Sequence, residues 1–484
     1  MGEWRQKERG KATTSSICLS KHRCRMEEVI ERKSKWGKVG KVAAILLSFI
    51  LLAAAGAYTW TGIPSGAAYY PKMKRAAEAA GLFFDEKQVL ALTTVPDADN
   101  SASLIEKIDI PKIEEPYYLN PKIINEKWKE IEPGLQQLEL AETRKYFVSK
   151  WDFKDRKRDH FESPRSLSRA ESWVSTLNYI AMGLLETPTD ARLPRCLRVA
   201  SHLTGKLDQD HTINGMSLRI SRSLGLESTI RKLIPRSVGN PTLLAALDDA
   251  LKSLDKPYDL VNLMKVENFR GILAVEHFLD RSPRAEAFDG EYGLPVEISK
   301  GSTLPRFREA NLSRIHEYYS LVASRLPKDP YDFDGLDRAM DYGLPVLGHE
   351  DWSSAVLRYG LETPQAIPKR IRMENSYRNT LMQAVAMLKA HADPAKGLLL
   401  GGHYRWDLDG SPIRIAKLPK GWVVYSIGRD FKDDGGMDAS TRPPDYVAHL
   451  TMATVIPEPP RVSPSKPSGA PAPGPAAPSG TTSP

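Results

Sequence analysis

The chain has 484 residues, 41% of them hydrophobic and 26% charged, with a formal charge of +8. That composition excludes a wholly disordered or collagen-like chain and leaves room for one large or two ordinary domains. The charge is concentrated at one end: residues 1–41 hold twelve Lys/Arg against five Asp/Glu, and the other 443 residues hold 56 basic and 55 acidic groups. The basic character therefore marks topology, and a nucleic-acid partner has no electrostatic support outside the first 41 residues.

Residues 1–41 form a basic leader, followed by nineteen uncharged, mostly apolar residues from Val42 to Trp60. At about 1.5 Å per helical residue this run nearly spans a hydrocarbon core of about 30 Å. A transmembrane helix is expected over 42–61, with Tyr58 and Trp60 in the interfacial aromatic belt and the leader on the cytoplasmic side. The competing reading is a cleavable signal peptide, for which Ala55-Gly56-Ala57 supplies a small-residue site and Tyr58 the mature N-terminus. Translation from Met26 would make that leader more ordinary. Cys18 and Cys24 fall in the leader, so Cys196 is the one exterior cysteine, expected as a small buried hydrophobe on the face of Leu193, Leu197, Ala200 and Leu203. The cluster Cys18, His22 and Cys24 lacks a fourth ligand and a zinc spacing.

Residues 62–162 are interrupted by Pro96, Pro111, Pro116, Pro121 and Pro133 and read as an irregular stalk with short helices. The helical body is expected over 163–392. Leu167, Ala170, Val174, Leu177, Ala181 and Leu184 step by three and four, as do Leu312, Ile315, Tyr319, Val322 and Leu326, giving one apolar stripe per helix. Asn240-Pro241 supplies a cap and first residue for a helix carrying Leu243, Leu247, Leu251 and Leu254, and Tyr377, Leu381, Ala384, Val385 and Leu388 mark another. A bundle or stacked helical hairpins would bury all these stripes. The Leu-Glu-Thr-Pro recurrence at 185–188 and 361–364 leaves a solenoid as a minor alternative. Over 393–456 the pattern changes to short strands at Ile413–Ile415, Trp422–Ile427 and Tyr446–Leu450, a small antiparallel β element. Residues 457–484 contain ten prolines and cannot build a core, so a disordered tail is expected. The fold class is thus mainly α, with a transmembrane helix before the body and a β element after it.

Phosphate-loop, dinucleotide, zinc-helix and nucleophile-elbow motifs are all missing from the sequence. His202 and His211 flank Asp208 and Asp210, which could supply nitrogen and oxygen ligands, but a solvated turn over Gly205–Asn214 explains these residues better than a ligand set does. His316-Glu317 and His349-Glu350-Asp351 are chance-level pairs. The strongest candidate is the loop Asp430 to Asp438. Its closely spaced carboxylates Asp430, Asp433, Asp434 and Asp438 on a glycine-bent segment could supply oxygen ligands to Ca2+, with Asp407 and Asp409 as outside possibilities. A polar hairpin explains the same residues.

The segment Trp422 to Gly436, with its Y-S-x-G-x-D-x-x-D-D-G-G pattern, resembles the ending of large exported bacterial proteins of unknown function. Those proteins also carry a V-P-D-x-x-N segment after an N-terminal membrane helix, matched here by Val95-Pro96-Asp97-Ala98-Asp99-Asn100. A Tyr-Ser-x-Gly-x-Asp segment also closes type II secretion pseudopilins, where the loop binds calcium, although this leader lacks their processing sequence. The resemblance implies a bacterial inner-membrane protein with its bulk outside the cytoplasm, and supplies no reaction. The expected function is a helical binding or scaffold domain with an envelope protein partner. The alternatives are an extracytoplasmic hydrolase with a dispersed site and a pseudopilin-related secretion component.

Overall fold

A computed structural model describes residues 43–111, 120–150, 164–281, 305–347, 367–419, 421–428, 431–436 and 445–450. The leader, the tail over 457–484 and the second Leu-Glu-Thr-Pro lie outside these residues, as do His349, Glu350 and Asp351. The chain is mainly helical, with a small three-stranded antiparallel sheet.

Among the described residues one helix is long and apolar enough to cross a membrane. It comprises α1, residues 43–60, and α2, Ile63–Ala79, joined by a turn at Thr61-Gly62. Gly62 adopts φ 72°, the left-handed region that a residue without Cβ enters at least cost. The α1 side chains other than Tyr58 are exposed, whereas Ile63, Ala67 and Ala77 of α2 are buried against α11, Phe307–Ala323.

The helices α3 (Glu86–Thr93), α4 (Ser101–Ile105) and α5 (Pro121–Glu142) follow. Asp85 starts α3 with a reciprocal capping box to Gln88, and Asn120 starts α5 by accepting from the Lys122 and Ile123 amides. The segment read as an irregular stalk therefore contains a 22-residue helix packed into the main core through Ile124, Ile131, Leu135, Leu138 and Ala141. Pro121 sits where a helix has no use for its amide, and Pro133 lies on the exposed face, where water can reach the carbonyl left unpaired. The prolines thus shape this segment without excluding it from the body.

Then come α6 (Arg165–Gly183), α7 (Arg192–Thr204), α8 (Ile213–Leu233), α9 (Pro241–Leu254), α10 (Leu260–Arg281), α11, α12 (Phe333–Asp341) and α13 (Ile367–Lys389). Asn240 caps α9 through the Leu243 amide, and Pro241 is its first residue, as expected. The stripe from Leu167 to Leu184 is wholly buried, and Cys196 lies in the same core. The sheet has order β1-β2-β3, with β1 Arg414–Leu418, β2 Gly421–Ser426 and β3 Tyr446–His449. Arg414 pairs with Tyr425 and Leu418 with Gly421, while Val424 pairs with Ala448. Its inner face meets α13 and α8.

Two apolar cores share two helices. The first gathers α4 to α7, α9, the second halves of α8 and α13, and the sheet; the second gathers α2, α10, α11, α12 and the first halves of α8 and α13. Ile220 of α8 belongs to the second core and Leu226 to the first; on α13 the corresponding residues are Ile371 and Leu381. At that crossover α8 carries the buried polar side chains Arg219, Ser223 and Glu227, and α13 carries Glu374 to Ser376 and Arg378 to Thr380.

Candidate functional sites

The two sequence motifs act as clasps. Asn100 is buried, donates to the Val148 carbonyl (2.8 Å) and accepts from the Val148 amide (3.0 Å) and the Ala102 amide (3.1 Å). Arg144 donates to the carbonyls of Asp97 and Asn100, so the V-P-D-x-x-N segment ties the start of α4 to the chain leaving α5. In the second motif, Ser426 donates to Asp407 Oδ1 (2.5 Å), which also accepts from Ser376 of α13 (2.6 Å). Asp407 Oδ2 receives the Ile427 amide (3.0 Å) and Arg414. This carboxylate pins the sheet to α13.

Of the four expected calcium ligands, Asp430 and Asp438 lie outside the described residues. Asp433 Oδ1 accepts from the Tyr425 hydroxyl (3.1 Å) and the Gly435 amide (2.9 Å), and its Oδ2 is 3.0 Å from Arg414 Nε. The Asp434 amide donates to Asp445 (3.0 Å), which also receives the Gly428 and Gly436 amides. Arg414 bridges Asp407, Asp409 and Asp433, so these carboxylates are already compensated by a cation. Among the described residues no group of three or more His, Cys, Asp or Glu is placed to hold a metal ion. Asp445, seven residues beyond Asp438, gave no sequence signal.

The larger constellation occupies the polar layer between the two cores. Arg378 of α13 donates to Glu374 Oε1 (2.8 Å) and the Leu254 carbonyl (3.1 Å), and its Nε lies 3.4 Å from Asp255 Oδ1. Arg219 of α8 pairs with Asp208 (2.7 Å), donates to the carbonyls of Leu254 and Lys256, and stacks on the Tyr258 ring at 4.0 Å. The Tyr258 hydroxyl donates to Glu374. Both arginines are at most 2% exposed, so their charges depend on these partners rather than on water. No family model, curated protein or solved structure matches the chain. The chemistry of this layer therefore rests on its own geometry.

Glu227 lies 3.7 Å from Arg378 and accepts from Ser223 (3.2 Å), and its Oε2 has no partner among the described residues. Burial, opposed by Arg378, pushes its pKa well above the usual carboxylate range and so favours the neutral acid. The two guanidinium groups face Asp208, Asp255 and Glu374, with Glu227 beside Arg378. At the outer rim Asp255 Oδ2 accepts from Tyr404 (2.6 Å) and lies 3.4 Å from His403 Nε2. His403 stacks on Tyr331 with ring centroids 3.8 Å apart. Burial foremost, with the Asp255 hydrogen bond, raises the Tyr404 pKa and keeps its hydroxyl protonated.

The turn over Gly205–Asn214, expected to be solvated, is buried because its polar groups have internal partners. Asp208 holds Arg219, Thr212 donates to Asp210 (3.0 Å), and Glu267 accepts the Ile213 amide (2.8 Å). Burial pushes Asp210 up to about 7. His202 and His211 do not join it in a ligand set: His202 faces Glu142 and His211 faces Asp259. His316 is buried, with Nδ1 2.9 Å from Asn268 Oδ1 and its ring between Tyr70 and Phe84. Its neighbour Glu317 pairs with Arg314 instead.

Proposed function

We propose that this chain is a single-pass protein of the bacterial cell envelope, with residues 1–41 cytoplasmic and a helical ectodomain that holds a partner. One observation carries the tether: Ile45, Leu46, Leu47, Phe49, Ile50, Leu51 and Leu52 of α1 are each 55–68% exposed. Each apolar side chain of that size left in water forfeits about 1.5–3 kcal/mol of burial. A contiguous set of seven calls for a membrane or a partner to cover it. Because α1 leads through one turn into α2, whose Ile63, Gly66, Ala67 and Ala77 pack into the body, the anchor and the ectodomain form one mechanical unit. The binding reading is favoured over catalysis because the converging acids of the polar layer are committed to Arg219 and Arg378.

Carbonate-washed membranes and protease treatment of spheroplasts test the topology. Retention after the wash, with external digestion of everything beyond α1, is expected; a soluble product beginning at Tyr58 would refute the anchor. A hydrolase is the second reading, favoured by His403 and Tyr404 meeting on Asp255. Hydrolysis of generic ester or peptide substrates that is lost in His403→Ala would support it. Calcium binding by Asp430, Asp433, Asp434 and Asp438 would require Arg414 to release Asp433; calorimetry showing no heat at millimolar Ca2+ retires that role.

A further inference from the structure

We propose that the recess between the Gly397–Gly401 loop and strand β1 is a docking site for the C-terminal end of an extended, apolar polypeptide from a partner protein. The proposal rests on the binding reading above and names the occupant's chemistry. The recess has a volume of about 480 Å3 and is walled by Leu398, Leu399, Leu400, Ile413 and Ile415, with Arg405 as its one charged residue. Among the described residues Arg405 has no carboxylate partner; its guanidinium lies 5.6 Å from the centre of the Trp406 ring. An open recess with leucine and isoleucine walls, exposed polar groups beside them and one exposed cation without a carboxylate partner suits an apolar peptide end that also carries a carboxylate and backbone polar groups.

The walls are fixed in advance. Gln383, buried on α13, accepts from the Leu399 (3.2 Å) and Leu400 (3.0 Å) amides and donates to the Leu400 carbonyl (2.7 Å). Asn379, also buried, donates to the carbonyls of His403 (2.8 Å) and Trp406 (3.1 Å). Gly397 and Gly402, at φ 93° and 64°, give the loop its bends. Little ordering is left for a ligand to impose.

The neighbouring sheet edge selects a peptide over a fatty acid. Among the described residues β1 pairs only with β2. Leu418 and Gly421 close the hairpin as a hydrogen-bonded pair, so Ala416 and Arg414 also turn their amides and carbonyls towards β2. The amides and carbonyls of Ile415 and Lys417 therefore point to the outer edge. An extended peptide can pair with them, place its last side chain among the leucines and set its carboxylate on Arg405. A fatty acid could use the cation and the cavity but not the edge.

The test is calorimetry on the detergent-solubilised full-length protein, with acetyl-Gly-Val-Thr-Val-Leu as the free acid, the same peptide as its C-terminal amide, and decanoate. Saturable binding of the free acid is expected, with the amide roughly tenfold weaker, the share of one charge-assisted hydrogen bond. Arg405→Gln is expected to erase the difference between acid and amide, and Leu399→Asp to abolish binding of both while leaving the thermal melt unchanged. No saturable heat, equal affinity for acid and amide, or decanoate binding as tightly as the peptide would each overturn the proposal. None of those results bears on the anchor, which stands or falls on the carbonate and protease experiments.

Discussion

His316 sets a pH dependence that can be worked through from its surroundings. Asn268 donates from Nδ2 to the Phe83 carbonyl (2.8 Å), so its Oδ1 is the acceptor and His316 Nδ1 carries the proton. Burial, with Lys74 and Arg308 nearby, lowers the His316 pKa to about 4, against an unfolded value of about 6.5. Above pH 6.5 both states are neutral and the group contributes nothing to the slope. Between about 6.5 and 4 the unfolded chain binds a proton that the folded chain refuses, so stability falls with pH. The drop from about 6.5 to about 4 makes the full loss about 3 kcal/mol, since the side chain is buried away from water. Asp210, raised to about 7 by burial, acts in the opposite sense: its contribution is complete below the unfolded value near 3.8 and is lost as pH rises through 7. The His316 effect is therefore isolated by comparing wild type with His316→Gln. Urea titrations of the detergent-solubilised protein at pH 7, 6, 5 and 4 are expected to show the wild type losing about 3 kcal/mol relative to the variant. A difference between the two proteins that stays constant across that range would refute the account.

Gly134→Ala places a Cβ 2.5 Å from Cη2 and Cζ2 of the fully buried Trp173, so a loss of about 1–3 kcal/mol is expected in spite of alanine's better helix propensity. An unchanged thermal midpoint would contradict it. In the polar layer Glu227→Gln is expected to alter stability by less than about 1 kcal/mol, because burial favours the neutral acid that the amide replaces, whereas Arg378→Met strands Glu374 and Asp255 and costs at least about 3 kcal/mol. Equal effects of the two substitutions would mean that Glu227 is charged. Burial pushes the Cys196 thiol up to about 12, so in a Cys18→Ser, Cys24→Ser background thiol reagents are expected to modify it only in denaturant. Fast stoichiometric labelling of the native protein would show the site to be open.

What the sequence made legible was whatever repeats at a fixed local period. The stripes on α6 and α11, the Asn240 cap, the Cys196 face and the three strands all follow from spacing within a few turns of one element. The segment over 62–162 was misread because proline counts against a helix only where its missing amide or its ring meets the interior. Whether Pro133 faces water depends on which side of α5 packs against Trp173, a tertiary fact. The polar layer was illegible for a related reason: Arg219, Asp255, Arg378 and His403 come from four distant stretches, and each alone is an ordinary charged residue. The Asp/Gly loop stood out by composition, yet the groups that answer its acids, Arg414 and Tyr425, belong to neighbouring strands.

The polar layer also settles how α8 and α13 can be assembled against each other. Leucine and isoleucine stripes tolerate sliding, since a slip of one helical turn, about 5.4 Å, brings another apolar residue into much the same place. Arg219 and Arg378 tolerate none: the same slip would draw a guanidinium away from its carboxylates and into one of the two apolar cores. A chain caught in the shifted alignment would carry a stranded charge costing several kcal/mol, enough to return it to the unfolded pool. The layer thus proofreads the alignment of the two shared helices, and it does so before any ligand arrives.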